Sequence, residues 1–553
     1  MNRVIIVGGV AGGATAAARI RRLDEQVEII MLERGEYISF ANCGLPYYIG
    51  NIITERDDLL LWTATDFMKR YAVQVKTQTN VVAINPQDKT VTVIDQRTKE
   101  VSDYSYDKLL LAPGGEPIKP AIVGVDSPGV FSLRSLNDSD RIKAFINNNK
   151  PQSAVVVGGG FIGLEMAENL WENGIEVTIV ELADQLLTPL DNDMVCDVHN
   201  YLRNKGIKIL LSNELKSIKE NDSGLSIELQ NGSLETAMLI MAIGIRPESQ
   251  LAKEAGLALN QRGGIIVNEK MQTSQPDIYA VGDAVEIKDF VSGNATMVPL
   301  AGPANRQARV AADNICGYRA SYQGAQASAI LKIFAMTVAT TGINEKTAKQ
   351  RGLDYDKVFL WSNSHATYYP GAQALRIKVI FEKNSGLILG AQIVGYAGVD
   401  KRCDVLATAI RAKMTARDLL DLELCYAPPY SSAKDPVNMV GYMIENILEG
   451  RVNNFHWQDI TALQKRSDIV LLDVRDPAEV AKGAIAGFIN IPLPDLRQHL
   501  DKLDKTKELY VMCYSGMRSY LANRILRQNG FKAYNLSGGY RLYQAINLDL
   551  SQR

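Results

Sequence analysis

Two copies of one short pattern constrain this 553-residue chain more than any other feature. The first is RVIIVGGVAGGATAAARIRRL: a buried apolar strand at residues 4–7, a glycine turn and an alanine-rich helix, followed by a second strand in QVEIIMLER. Gly8, Gly12 and Gly13 let the backbone approach a pyrophosphate at the positive end of the helix, although Val10 takes the middle glycine position of G-x-G-x-x-G. Glu33, twenty residues after Gly13, stands where a carboxylate accepts hydrogen bonds from a ribose. The second copy, SAVVVGGGFIGLEMAENLWENGIEVTIVEL, carries the full fingerprint Gly158, Gly160 and Gly163 and a strand ending in Glu181. A carboxylate there accepts from the 2′-hydroxyl of NAD and repels the 2′-phosphate of NADP, and no basic residue follows in ELADQLL. NADH is therefore the expected donor, with NADPH the less favoured one. Two such units imply one tightly held dinucleotide and one that comes and goes.

Near-balanced charge, 60 basic against 62 acidic residues, gives no electrostatic reason to expect nucleic acid or an anionic membrane as partner. The local basic run RIRR at 19–22 reads as a solvated helix face or a holder of a small anion. Six scattered cysteines without paired spacing argue against a disulfide framework and for a reducing, cytoplasmic compartment. The N-terminal apolar run is too short for a signal peptide core, and no run approaches the ~20 apolar residues of a membrane span. Four unclustered histidines give no metal site.

The segment TSQPDIYAVGDA, residues 273–284, resembles the second flavin motif of the pyridine nucleotide-disulfide oxidoreductase family. LLLAPGGEP (109–117) and LIMAIGIRPE (239–248) resemble the strand-turn segments by which that family passes between its two dinucleotide domains. The resemblance covers about residues 1 to 445. It implies that the first fold holds FAD, with Asp283 bonding the ribityl and phosphate region, and that the second receives NADH.

SFANCGLPY, containing Cys43, is similar to the signature of the family's single-cysteine branch: coenzyme A-disulfide reductases, NADH oxidases and peroxidases. One thiol suffices for disulfide chemistry when the substrate brings the second sulfur, provided the protein thiol is kept as thiolate. Cys196, Cys316, Cys403 and Cys425 read instead as small buried hydrophobes. The resemblance favours coenzyme A (CoA) as ligand, matching Thr15, Arg19, Arg22, Ser39 and Asn42 to positions lining its site. Arg19 and Arg22, one turn apart, would offer forked donors to its phosphates. In CYAPPYSSAKDPVN, Tyr426 matches a tyrosine that reaches the neighbouring subunit's active site, Tyr368 a second one, and Lys434 a CoA contact. Asn305 replaces a histidine near CoA, and Tyr71 a common lysine for which Arg70 stands in. A homodimer is implied, with residues ~330–445 as its interface. There LRIKVIFE and LILGAQIVG read as strands and GVDKRCDVLATAIRAKM as a helix.

After a linker near Gly450, a shorter α/β pattern begins that resembles a rhodanese domain over about the last 95 residues. Its centre is CYSGMRS: a strand delivers Cys513, a loop of backbone N–H groups follows, and a helix starts near Arg518. Such a loop is an anion nest suited to a persulfide. The C-x4-R spacing favours sulfur over the phosphate of C-x5-R relatives. Ala484 replaces a common, non-nucleophilic histidine.

The expected architecture is α/β: two Rossmann-like dinucleotide-binding domains, an α+β dimerisation domain and a C-terminal α/β rhodanese domain. The boundaries are 1–149 and 266–325 for the FAD domain, 150–265 for the NAD(P) domain, 326–447 for dimerisation and 460–553 for rhodanese. The expected activity is NADH-dependent reduction of CoA persulfide, polysulfide or disulfide through a Cys43–CoA mixed disulfide, with Cys513 relaying sulfane sulfur. The rivals are an NADH oxidase or peroxidase working through a Cys43 sulfenate and a sulfur carrier or sensor.

Overall fold

A computed structural model describes residues 1–222 and 224–553. Contacts gather into two units, Met1–Asp184 with Ile207–Ala327, and Gln185–Gly206 with Ser328–Arg553.

In the first unit, each glycine pattern builds the centre of a five-stranded parallel sheet. One sheet runs in the order Ile278–Ala280, Lys108–Leu111, Arg3–Val7, Glu28–Leu32, Gln74–Lys76. The other runs Lys208–Leu210, Glu176–Val180, Ser153–Val157, Met238–Met241, Val130–Phe131. Val4, Ile5 and Ile6 are wholly buried because helix residues such as Ala16 and Ala17 and antiparallel-strand residues such as Val81 and Val91 share one core with them, which is why the strand reads as an unbroken apolar run rather than an alternating one. Each parallel core carries a three-stranded antiparallel sheet, Thr79–Ser105 in one and Leu215–Thr236 in the other, among the described residues. The two crossover segments lie side by side: Gly115–Pro117 pairs antiparallel with Ile245–Pro247. Glu248, just beyond, is bonded by Arg34 and by Arg134 at 2.8 Å, so charge pairs pin the crossing.

In the second unit, an antiparallel sheet of Ala329–Ile333, Met336–Gly342, Ile388–Gly395, Ala374–Glu382 and Tyr355–Asn363 is backed by the helix Val399–Arg411. Both strands and the helix read from 374–414 are present. The C-terminal sheet is parallel, in the order Asn454–Phe455, Lys532–Leu536, Glu508–Met512, Ile469–Asp473, Ile489–Asn490. The helix Asn192–Asn204 groups with this unit and packs on the terminal helix Gly539–Ser551. Between them His199, fully buried, meets Asp549 at 3.0 Å, and Arg203 and Arg553 converge on the same carboxylate.

Candidate functional site

The glycine turns form cradles of the expected kind. A Cβ on Gly13 would lie 1.8 Å from the Gly8 carbonyl oxygen and one on Gly163 1.9 Å from that of Gly158, so only glycine lets each helix start so close to its strand. Gly160, by contrast, faces open space where a phosphate can approach. Glu33 accepts from Gly9 N at 2.7 Å and Gly35 N at 2.6 Å; Glu181 accepts from Gly159 N at 2.6 Å and Ala183 N at 2.8 Å. Each carboxylate is thereby fixed at the strand end, across the mouth of its turn. Asp283 follows Gly282, whose N–H is held by Gln307 at 2.7 Å. Among the described residues the Asp283 carboxylate accepts no hydrogen bond; burial raises it above the ordinary range, against the pull of Arg134. A half-buried acceptor with spare lone pairs fits a polyol or sugar chain laid along the first cradle.

Cys43 lies in a short 3-10 turn, Asn42–Gly44, that runs directly into the helix Leu45–Ile49, with Pro46 in its first turn. The residue is exposed. Even so, desolvation by the surrounding protein, then Glu165, then Asp283 all raise its thiol above the ordinary value. The thiolate that the sequence reading required therefore gains no help from these neighbours. Tyr47 donates to Glu165 at 3.4 Å. Burial and the nearby carboxylates push the phenol up to about 12, and burial pushes Glu165 up to about 7.

The residues matched to a CoA site separate on inspection. Ser39 sits at positive φ, its N–H on the Gly9 carbonyl oxygen at 2.9 Å, and Asn42 is exposed beside Cys43. Thr15 bonds Asn305 at 2.6 Å, and Arg19 pairs with Asp313 at 2.7 Å across the adjoining helices. Arg19 is thus engaged within the protein, whereas Arg22 is exposed. The RIRR run is not uniformly solvated either: Arg21 is buried, donating to the carbonyls of Tyr71, Asp24, Val27 and Ala72. Arg70 stacks over Trp62 at 5.2 Å, and Tyr71 packs on Trp62 and Phe67.

In the second unit, Tyr368 and Tyr426 share a hydrogen bond of 2.7 Å although 73% and 48% exposed. Lys434 is exposed on the same loop, and so is Cys425, which corrects its reading as a buried hydrophobe. Cys425 precedes Tyr426 on irregular chain rather than on a packed element. Cys196 and Cys403 are buried as expected and Cys316 half-buried. Arg402, 1% exposed, ties the tyrosine loops together by donating to Ser364 O at 2.9 Å, Ser431 Oγ at 3.2 Å and Asp435 at 3.1 Å. Sequence reasoning missed Arg402. Its only signal was the Lys-Arg pair opening the helix 399–411.

Cys513 follows the strand Glu508–Met512 and is buried. Its sulfur accepts from Gly516 N at 3.1 Å and from Ser519 Oγ at 3.3 Å. Arg518, which closes the C-x4-R loop and is a catalytic candidate from the sequence, bonds Glu479 through two donors at 2.6 and 2.7 Å and reaches Asp476 at 3.3 Å. That pairing, opposed by partial burial, holds the Glu479 carboxyl down at about 2. Ser519, next in the motif, is the side chain that touches sulfur, and it went unnoticed in the sequence. Ala484 is exposed.

Family comparison agrees with this architecture. Residues 2–311 match the pyridine nucleotide-disulphide oxidoreductase model, 328–436 the dimerisation domain of the same family, and 457–546 the rhodanese-like domain. The chain belongs to the pyridine nucleotide-disulphide oxidoreductase family. It is accordingly an oxidoreductase that works with FAD and a pyridine nucleotide, and its two cradles fit those groups. Coenzyme A disulfide reductase from Staphylococcus haemolyticus is 39% identical over 449 residues, 81% of this chain and 100% of that protein. Among solved structures, reduced CoADR-RHD from Bacillus anthracis is 50% identical with a TM-score of 0.97, covering 99% of this chain and 98% of the other. An NAD-dependent persulfide reductase from A. fulgidus is 39% identical with a TM-score of 0.90, over 98% and 99% of the two chains.

Proposed function

We propose that this protein reduces CoA persulfide or polysulfide, and CoA disulfide as a second substrate, with NADH as donor. It works as a cytoplasmic homodimer in which Tyr368 and Tyr426 of the partner subunit complete the site. The observation that carries the reading is the lone exposed Cys43 in the first unit together with a second, separately cradled cysteine, Cys513, in a rhodanese domain of the same chain. Relatives described as a coenzyme A disulfide reductase and as a persulfide reductase support the substrate class.

Cys43 thiolate attacks the CoA-bound sulfur of CoA–S–SH, forming Cys43–S–S–CoA and expelling HS⁻. FAD, when bound, supplies two electrons drawn from NADH to break that disulfide. Cys43 then returns as thiolate and CoA leaves as thiol, so that NADH, one proton and CoA–S–SH become NAD⁺, CoA–SH and H₂S. Glu33 and Asp283 would hold the flavin dinucleotide, Glu181 the NADH ribose, and Gly8, Gly12, Gly13, Gly158, Gly160 and Gly163 the two pyrophosphates. Thr15, Arg22, Ser39, Asn42, Arg70 and Lys434 would contact CoA, with Arg19 a weaker candidate because Asp313 already holds it. The exposed phenol pair would protonate the departing sulfur. Cys513, gripped by two donors, would accept sulfane sulfur and pass it on, and Arg518 would brace its loop through Glu479.

The test is anaerobic NADH oxidation with CoA persulfide, counting sulfide released, for the native enzyme, Cys43→Ser and Cys513→Ser. Stoichiometric release that is lost with Cys43 and survives without Cys513 supports the reading. No release, with rapid NADH consumption once oxygen or peroxide is admitted, replaces it with an oxidase or peroxidase.

A further inference from the structure

Three residues one helical turn apart, Glu165, Asn169 and Asn173, form a stripe on the segment following the second glycine turn, and all face the segment that carries Cys43. Asn173 donates to Ile49 O at 3.3 Å and accepts from Asn51 Nδ2 at 2.9 Å. Gly50 approaches Asn169 so closely that a Cβ there would lie 1.8 Å from its amide oxygen. Glu165 meets Tyr47 at 3.4 Å. Tyr47 is four residues after Cys43 in a continuous helical stretch, 42–49, so phenol and thiol share a face. The helix Phe161–Glu172 is thus locked against the nucleophile's own helix, and a carboxyl group is held next to it.

Among the described residues, charges from the packed elements leave this carboxyl without a compensating cation. On its own helix is Glu168; from the flavin-motif loop Asp283 acts on Cys43. The helix Leu136–Asn149 brings Lys143, but its ammonium donates to Tyr48 O at 2.8 Å and lies 3.7 Å from the Tyr48 ring centre, and Asp140 is taken up by Arg56. Burial therefore favours the neutral acid, and raises Glu165 to about 7.

We propose that Glu165 is the proton-linked partner of Cys43: it takes up a proton when the thiol becomes thiolate and gives it back when the thiolate is consumed, keeping the pair near a single negative charge. The role rests on Cys43 being the reactive thiol and not on which sulfur compound it meets. In the proposed cycle, Cys43–S–S–CoA gains two electrons and yields the Cys43 thiolate and a CoA thiolate that leaves as thiol with a proton from the phenol pair, while Glu165 carboxylate takes one proton from solvent. On the next attack, Cys43 thiolate displaces HS⁻ from CoA–S–SH and the Glu165 acid releases its proton toward that leaving group.

Glu165 acts through Cys43 and is thus a positioning residue for charge. Its test is the rate of Cys43 alkylation by iodoacetamide in the holoenzyme from pH 5.5 to 9.5, followed on the Cys43 peptide because Cys425 is also exposed. Glu165→Gln keeps size and an acceptor for Tyr47 but holds no negative charge. The expected result is a thiol midpoint about one pH unit lower, seen as roughly tenfold faster alkylation near pH 7.5. Tyr47→Phe, the second variant should Glu165→Gln fold poorly, removes the bond that favours ionised Glu165 and is expected to move the linked limb to higher pH. Profiles of either folded variant coincident with the native one overturn the proposal. Because no sulfur substrate enters the assay, that failure is distinct from failure of the proposed activity.

Discussion

The phenol oxygens of Tyr368 and Tyr426 lie 2.7 Å apart, on loops 58 residues distant in sequence that meet over the buried Arg402 guanidinium. The shared hydrogen bond raises Tyr368 above its ordinary value, so this phenol keeps its proton at neutral pH and has it to donate to a departing thiolate. We expect Tyr368→Phe and Tyr426→Phe each to lower kcat on CoA persulfide by about 10²-fold. The double variant should cost little more than the worse single one, because the two act as a unit. Steady-state NADH oxidation measures both. Additive losses would mean that the phenols act separately.

Ser519 offers a cleaner separation of the two cysteines. Its hydroxyl, 3.3 Å from the Cys513 sulfur, is fully buried, and a hydrogen bond to a charged sulfur contributes about 1.5–3 kcal/mol. Ser519→Ala is expected to slow sulfur transfer from thiosulfate to cyanide by roughly 10- to 100-fold. Reduction of small persulfides at Cys43 should be unchanged. Loss of both activities together would place Cys513 on the obligatory route.

The parts of this molecule legible in the sequence are those where local chemistry dictates a residue. Gly13 and Gly163 must be glycine because a carbonyl oxygen lies where a Cβ would be, and Val4–Val7 is a continuous apolar run because it is covered on both faces. What escaped depends on residues distant in sequence. Arg402 matters only because Ser364, Ser431 and Asp435 fold around it. Arg19 looks like an anion ligand until Asp313, nearly 300 residues on, is seen to hold it. Glu165 sits inside a fingerprint helix whose spacing says nothing of Tyr47. Arg518 had the motif position but not the contact, since Glu479 reaches it first and leaves Ser519 on the sulfur.

The His199–Asp549 contact predicts an acid-sensitive second unit. Burial holds the His199 imidazole below its ordinary value. Burial alone would raise Asp549, but His199, Arg203 and Arg553 outweigh it and hold the carboxyl well below the carboxylate range. Both groups therefore bind protons less readily folded than unfolded. Their contribution is full above the unfolded histidine value of about 6.5, declines below it, and declines again below about 4 as the unfolded aspartate takes up its proton. The Tm of the native protein should fall between pH 7 and pH 5, and His199→Gln should flatten that fall. Asp549→Asn, which leaves Arg203 facing no charge at this site, should cost about 3 kcal/mol at pH 7 in a denaturant titration.

If the second cradle receives the nucleotide as proposed, Glu181 is the group that sets the choice between NADH and NADPH. Gly159 N and Ala183 N fix its two oxygens at 2.6 and 2.8 Å, so the carboxylate cannot swing away from a 2′-phosphate without breaking both bonds. A 2′-hydroxyl donates to it, whereas a phosphate meets like charge in a half-buried position. Glu181→Ala removes both effects. It should raise the KM for NADH about tenfold, leave the KM for NADPH unchanged or lower, and narrow the ratio of the two kcat/KM values by roughly 10- to 100-fold. Because Ala183 would then lose its partner, Glu181→Gln serves as the comparison: it keeps an acceptor for the turn but no charge. If the phosphate is rejected by charge, Gln narrows the ratio nearly as far as Ala. If the native ratio persists in both, the discrimination lies elsewhere in the second cradle and Glu181 serves only to shape its turn.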